Sequence, residues 1–381
     1  MRGLKYSLYS LGLVVICLVL LGLYVLSSAS EPNGLKLHHD AFFFLVRQVK
    51  YLAFGLVLCV GLACWDYRFW RDRWWVTALG YVGVFLLLLA VFLFQKVNGS
   101  YRWINLGFIR LQPSELAKVM TVIIVSIWLD MQGWRVEFFK RGVLGTSAFI
   151  VVLLAPIAFE PDFGSMMVVG AVGGLLMVVA GVWWRYIISL ASLGSLVFGL
   201  LIFKNANRMA RLSAYFGMGD DPSQTSDMAY QTRMALVAIQ RGGLFGVGTG
   251  DSMQKHAYLP EAHTDFIFAV AAEEHGLVFT IVTFTLYLTF FFLAVYIARK
   301  ATDRLGRFFV IGMTFLIVFQ AFFNLGVVCG VMPSKGMALP FFSYGGSNLI
   351  ATFAAIGIIF SVGIHSYRAQ NVRGTTFSCK R

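Results

Sequence analysis

Charged side chains are scarce in this chain: 13% of its residues, against about 25% in an ordinary soluble domain. That shortage excludes a water-facing surface over most of the 381 residues. Five cysteines, Cys17, Cys59, Cys64, Cys329 and Cys379, are scattered and show neither a disulfide framework nor paired metal-ligand spacing. The six histidines form no HExxH or related set, so zinc chemistry is not expected and no metal ligands are assigned. No G-x-x-x-x-G-K-[ST] loop is present, and no ten-residue alternating segments suggest an outer-membrane barrel. No soluble catalytic domain is present either.

What the chain has in abundance is apolar sequence, 59% by residue with a mean hydropathy of +0.76, arranged in blocks. A membrane span needs about 20 predominantly apolar residues, and a backbone in lipid must satisfy its own hydrogen bonds, so the blocks predict helices. They fall at about Ser7–Ser28, Phe42–Cys64, Trp75–Phe94, Pro113–Met131, Leu144–Phe159, Phe163–Val182, Tyr186–Phe203, Asp265–Ala298, Phe308–Gly330 and Asn348–Ile364. The first run exceeds a signal-peptide core and reads as an uncleaved span. The expected fold is therefore an all-α polytopic membrane protein: one domain, 1–381, with ten transmembrane helices. Both termini are expected on the cytoplasmic side. Placed so, Lys and Arg number seventeen inside to thirteen outside, or seventeen to seven without the long segment 204–265. That segment becomes an extracytoplasmic loop. The net charge of +13 is spread over short loops, which suits anionic membrane lipids rather than nucleic acid.

Several polar groups stand where lipid makes them costly. In Tyr258–Phe268, YLPEAHTDFIF, Glu261, His263 and Asp265 alternate at the mouth of a span, and a carboxylate there usually marks a functional pathway. Gln112-Pro113-Ser114-Glu115 reads as a helix start, with Glu115 and Lys118 three apart on one face. They form either a buried ion pair or a ligand site. Glu160-Pro161-Asp162-Phe163-Gly164 is a whole inter-span turn, with Asp162 either a helix cap or a site residue. Met228–Ile239 has helical spacing and predicts an interfacial amphipathic helix. The glycine-rich RGGLFGVGTGDS that follows reads as a tight turn letting backbone approach the membrane or a ligand rather than as a phosphate loop. Val331–Ser347, with two prolines and three glycines, predicts a re-entrant or tightly folded loop offering Lys335, Ser343 and Tyr344.

The stretches NGSYRWI, QPSELAK, EPDFG, GGLFGVGTGDSMQKHAYLPEAHTDFIFAV and PSKGMALPFFSYGGS stand in this order between about residues 98 and 350. Together they resemble the SEDS family, which includes FtsW, RodA and SpoVE. PEAHTDF, the Tyr230-Gln231 pair and Pro333-Ser334-Lys335-Gly336 are most like the FtsW/SpoVE division branch. Two positions depart from that pattern: Phe279 where a glycine is usual, and Phe216 where tryptophan often precedes Asp-Pro. The resemblance implies a peptidoglycan glycosyltransferase in the cytoplasmic membrane. It polymerises lipid II at the outer face, with a class B penicillin-binding protein and other division or elongation proteins as partners. It also implies that Asp265 is the essential aspartate and that Arg102, Glu115 and Lys118 are motif residues.

On that reading Asp265 is the general base for an inverting displacement, a role worth about 10²–10⁴-fold. Charge developing on the pyrophosphate falls to Arg102, Arg211, Lys255 and Lys335, or to a divalent cation, Mg or Mn. Glu261, His263 and Thr264 hold Asp265 or bind sugar, and Asp162, Gln231, Ser343 and Tyr344 complete the candidate substrate contacts. Two other readings remain open: a flippase or transporter of a lipid-linked precursor, and a scaffold without chemistry of its own.

Overall fold

A computed structural model describes residues 2–95, 101–105, 110–160, 162–203, 227–256, 259, 262–333 and 336–378. The described elements are helical apart from one small hairpin. In chain order they are α1 (Arg2–His38), α2 (Phe43–Cys64), α3 (Phe69–Asp72) and α4 (Trp74–Ala90), then β1 (Ile104–Asn105) and β2 (Arg110–Leu111). Next come α5 (Pro113–Gln132), α6 (Gly145–Phe159), α7 (Phe163–Ala180) and α8 (Trp184–Phe203). The chain closes with α9 (Asp227–Gly242), α10 (Ile267–Lys300), α11 (Arg304–Val328) and α12 (Gly346–Ser378). Among the described residues nine helices are long and apolar enough to cross a membrane. α8 is a further helix of 20 residues.

Burial separates the centre of the bundle from its rim. The most apolar stretches of α11 and α12 are 72% buried and that of α5 is 61%, whereas that of α4 is 17%. α5, α11 and α12 therefore form the core against which α1, α7 and the N-terminal end of α10 pack. The peripheral helices keep Leu79, Leu86, Val57 and Leu196 exposed, as lipid-facing surfaces require.

Local chemistry fixes several boundaries. Pro113 occupies the first turn of α5, where its missing N–H costs nothing. Asp162 caps α7 by accepting from Ser165 N at 3.3 Å, and Asp303 caps α11 by accepting from Gly306 N at 3.0 Å. The first span runs past its expected end. α1 continues through Pro32 to His38, because a proline removes a single backbone donor and the flanking bonds carry the helix on. The amphipathic helix expected at Met228–Ile239 is α9. The short hairpin, with Ile104 opposite Leu111, was not expected.

Two polar ends result. At one, Arg68 meets Asp303 at 3.0 Å and Arg71 meets Asp130 at 3.2 Å. The Tyr67 hydroxyl donates to Asp303 at 2.7 Å, and Gln370 donates to the Lys300 carbonyl at 3.0 Å. Burial and the Asp303 hydrogen bond push the Tyr67 phenol up to about 12, so it remains a donor. The other end gathers the hairpin, the Glu160–Asp162 turn, residues 262–266 and the loop before α12.

Candidate functional site

Asp265 is half-buried, one residue before the cap of α10. Two loops meet at this point. The Thr264 carbonyl accepts from Ser343 Oγ at 2.5 Å, and the His263 carbonyl accepts from Tyr344 N at 3.0 Å. Ser343 Oγ in turn accepts from Leu339 N at 2.8 Å, so one hydroxyl closes its own turn and clamps the neighbouring one. Below them the buried Asn324 of α11 donates to the Asp265 carbonyl at 2.7 Å and to the Met337 carbonyl at 2.6 Å. The backbone around Asp265 is thereby held on three sides. Its carboxylate lies against Gly336. A methyl group there would stand 3.3 Å from Cγ and far inside contact with Oδ2. Gly336 is thus needed for space.

His263 does not point into this corner. Its Nδ1 pairs with Asn33 of α1 at 3.1 Å, and its ring packs beside Phe44 with centroids 4.8 Å apart. Tyr344 packs edge-on to the same Phe44 at 5.0 Å. Burial raises the Tyr344 phenol above its ordinary value, while the nearby Arg47 and Arg110 guanidinium groups oppose the shift. Two exposed arginines therefore flank Tyr344 at this end of the bundle. Neither was singled out from sequence, Arg47 lying inside the expected span Phe42–Cys64 and Arg110 in a loop.

One turn deeper on α11, Gln320 belongs to a second cluster. Lys118 Nζ lies 2.7 Å from Glu115 Oε1 and 3.4 Å from Gln320 Oε1. Asn348 Nδ2 donates to Glu115 Oε2 at 3.2 Å and to Gln320 Oε1 at 3.1 Å. All four residues are buried. The ion-pair reading of Glu115 and Lys118 is what the structure contains, and the two amides supply the extra hydrogen bonds a buried pair needs. Gln320 and Asn324 share one face of α11 at i and i+4. That face runs from the Asp265 backbone to the Glu115–Lys118 pair. Two amides inside the apolar run FLIVFQAFFNLGVV were the sequence signal for it.

The turn after α6 carries two acids with opposite fates. Asp162 caps α7 and also accepts from Ser114 Oγ at 3.2 Å and Gln112 Nε2 at 3.4 Å. It is a cap that also ties α5 to α7. Glu160 is fully buried, and neither of its carboxyl oxygens has a hydrogen-bond partner among the described residues. Burial first, then the Asp162 charge, push it up to about 8, with Arg102 opposing. At neutral pH it is mostly a neutral acid. Arg102 Nε reaches the Glu160 carbonyl at 3.5 Å, which places this motif arginine over the turn.

Lys255 was expected at the phosphates, but it is buried, 3.0 Å from Glu274 Oε1 and 2.8 Å from Ser28 Oγ. Ammonium and carboxylate hold each other because neither is stable alone away from water. Its role is to fasten the chain after α9 onto α10. Beside it Glu273 accepts from Ser252 Oγ at 2.5 Å and from two backbone amides, Met253 N at 3.2 Å and Gln254 N at 3.3 Å. Arg241 approaches Glu273 at 3.7 Å.

The glycine-rich turn docks directly on this stretch. α10 is broken at Gly276, where φ is +73° and ψ −168°, a conformation that favours glycine. The loop supplies the missing bonds: Val247 N to the Glu273 carbonyl at 3.0 Å and Gly248 N to the Glu274 carbonyl at 3.1 Å. In return, Leu277 N reaches the Gly243 carbonyl at 3.0 Å and Val278 N the Leu244 carbonyl at 3.3 Å. A side chain on Gly246 would strike the Glu274 backbone, so the close approach itself requires glycine.

The structure therefore brings Asp265, Thr264 and Ser343 together, with His263 and Tyr344 behind them. Glu115, Lys118 and Asp162 lie in adjoining paired clusters, and Arg102 over the turn. Lys255 sits apart, under the glycine-rich loop. Gln231 is on α9, half-buried. Arg211, Glu261 and Lys335 lie outside the described residues. Among the described residues no three His, Cys, Asp or Glu side chains gather so as to hold a metal ion, and no step below is routed through one. Two hollows stand out. One of about 240 Å³ lies between Ser28, Glu31, Phe42 and Thr249; the other, of about 500 Å³, lies at the opposite end of the bundle. Neither borders Asp265.

Comparison with known proteins gives a consistent picture. The model of the cell cycle protein family FtsW/RodA/SpoVE matches residues 9–368. A Geobacter metallireducens protein named "Probable peptidoglycan glycosyltransferase FtsW" is 38% identical, over 94% of this chain and 94% of that one. A protein of the same name from Saccharophagus degradans is 35% identical over 98% of this chain and 95% of its own. Among solved structures, a chain from "Structural coordination of polymerization and crosslinking by a peptidoglycan synthase complex" superposes with a TM-score of 0.76 at 26% identity. It covers 94% of this chain and 98% of that chain. The rod shape determining protein RodA of Thermus thermophilus superposes with a TM-score of 0.69 at 26% identity, covering 94% of this chain and 97% of its own.

Proposed function

The chain belongs to the FtsW/RodA/SpoVE family, and from that membership we propose that it is a peptidoglycan glycosyltransferase serving cell division. Its relatives carry that activity in their names. Its substrate is lipid II, a disaccharide-peptide on undecaprenyl pyrophosphate, polymerised at the outer face of the cytoplasmic membrane. A class B penicillin-binding protein cross-links the product, and other division or elongation proteins assemble with the pair. The expected topology is ten spans, with the Asp265 end extracytoplasmic.

The observation that carries the catalytic reading is the placement of Asp265. It is half-buried, its backbone is clamped by Asn324 and Ser343, and its carboxylate is seated against Gly336. Asp265 takes the proton of an acceptor sugar hydroxyl as that oxygen bonds to the donor anomeric carbon. The bond from that carbon to the pyrophosphate oxygen breaks, and the pyrophosphate leaves with the electron pair. One displacement inverts the donor linkage. Because the leaving group is already a stable anion, cations matter more than an acid. Arg102, Arg211 and Lys335 serve there, with Arg110 and Arg47 beside Tyr344. Glu115 and Lys118 brace the helices behind the site; Glu261, Thr264 and Gln231 orient the sugars, and His263 holds the Asp265 loop to α1.

Asp265→Asn keeps the shape and removes the base. Given labelled lipid II, with and without a class B penicillin-binding protein and a divalent cation, that variant should insert normally. It should polymerise at least 10²-fold more slowly. Glycan strands at the wild-type rate from Asp265→Asn would end the assignment. The scaffold reading expects that result, and a flippase would move labelled lipid II between leaflets without lengthening it.

A further inference from the structure

We propose that the hollow between α5 and α6 binds the phosphate headgroup of an anionic phospholipid, far from the Asp265 site. The connection there is two tight turns. Gly133–Glu137 forms a short 3₁₀ turn and Phe139–Leu144 a wide π turn. The second folds back on the first because Gly142 lies against the Val136 carbonyl, where any side chain would collide. Trp128 Nε1 donates to the Arg141 carbonyl at 3.0 Å and fixes the return. Between the turns lies the hollow of about 500 Å³, lined by Trp134, Arg135, Phe138, Phe139, Lys140 and Arg141. That size is in the range of small-molecule pockets.

Three features point to a phospholipid. First, the lining carries three cations and no acid. Second, Arg135, Lys140 and Arg141 converge on one hollow and have no ion-pair partner among the described residues, whereas Arg68 and Arg71 at the same end are each engaged by an aspartate, Asp303 and Asp130, and Arg299, Lys300 and Arg307, also without a salt bridge, are not among the residues that line it. Third, the rest of the lining is aromatic and outward-facing: Trp134 is 68% exposed, Phe138 56% and Phe139 48%. Such rings belong at the headgroup level of a bilayer, not in water. Phe139 also packs at a tilt against Tyr186 of α8, with centroids 5.2 Å apart, extending an apolar wall for acyl chains. Cations lining a hollow beside exposed aromatic rings fit a phosphate with hydrocarbon attached.

The test uses the delipidated full-length protein in detergent, read by native mass spectrometry. Phosphatidylglycerol, phosphatidylcholine and inorganic phosphate are titrated separately and in competition. A basic residue beside an anionic surface contributes about fivefold in affinity, so three together set a preference on the order of 100-fold. Arg135→Gln/Lys140→Gln/Arg141→Gln should lose the phosphatidylglycerol preference. Arg299→Gln/Lys300→Gln/Arg307→Gln, an equal charge change at the same end, should keep it. Arg135→Lys/Arg141→Lys, which preserves charge at these exposed positions, should also keep it and guards against a folding defect. Equal loss in both triple variants would mean general face charge and overturn the site. So would phosphatidylcholine binding as well as phosphatidylglycerol, or inorganic phosphate displacing the lipid.

Discussion

Replacing Gly336 by alanine tests the placement of Asp265 without touching Asp265. The new methyl would stand about 1 Å inside normal contact with Oδ2. What must yield is the end of a short side chain, and the carboxylate rotates away by about that distance. A misplacement of 1 Å can cost on the order of 10²-fold in rate when a reacting group loses its alignment. We expect Gly336→Ala to lower lipid II polymerisation about 100-fold, with a thermal midpoint in detergent close to wild type. Gly345→Ala, in the same loop, is the control: its methyl meets Asn348 Cβ at an ordinary 3.8 Å, and it should be nearly neutral. A wild-type rate for Gly336→Ala would refute the claim that the position of this carboxylate limits the chemistry. So would equal losses in the two variants.

Other outcomes follow from the paired and unpaired buried charges. Lys255→Met leaves Glu274 buried without its cation and should cost about 3–5 kcal/mol. Lys255→Met/Glu274→Met should recover most of that in a thermal-melt cycle, and a double variant no better than the single would contradict the pairing. Glu160, pushed up to about 8, binds its proton more tightly folded than unfolded. Its contribution is therefore fully present below about pH 4.5 and is lost as pH rises through about 8, by at most about 1.4 kcal/mol per unit. Glu160→Gln should flatten that slope and raise the melting temperature at pH 8; an unchanged slope would show that another group sets it. Asn324→Asp turns two donors into acceptors facing the Asp265 and Met337 carbonyls. It should lower kcat more than it changes KM, whereas a pure KM effect would remove Asn324 from positioning.

Local features were legible in the sequence where cause and effect are near neighbours. Gln112-Pro113 starts a helix, Asp162 caps one, Glu115 and Lys118 pair three residues apart, and Met228–Ile239 marks an amphipathic helix. What escaped depends on long-range geometry. Lys255 could not be told from a free cation, because its partners are Glu274 on α10 and Ser28 on α1. The break at Gly276 was hidden, since the segment around it lacks proline and a lone glycine in a helix does not by itself signal a break. Only docking of the glycine-rich loop makes the break affordable, and that docking joins residues about thirty apart. Gln320 and Asn324 were visible as amides in an apolar helix, yet their targets, Lys118, Asn348 and the Asp265 carbonyl, lie on other elements.

The broken α10 also bears on how the protein meets membranes of different thickness. A continuous span answers hydrophobic mismatch by leaning, and everything rigidly attached leans with it. Here the short N-terminal segment, 267–275, is held by the loop that hydrogen-bonds across the joint. The long lower segment, 277–300, faces lipid over much of its length. The same loop bonds the Glu273 and Glu274 carbonyls on one side of Gly276 and the Leu277 and Val278 amides on the other, so the bend is braced from both sides and the angle between the two segments is set by the loop.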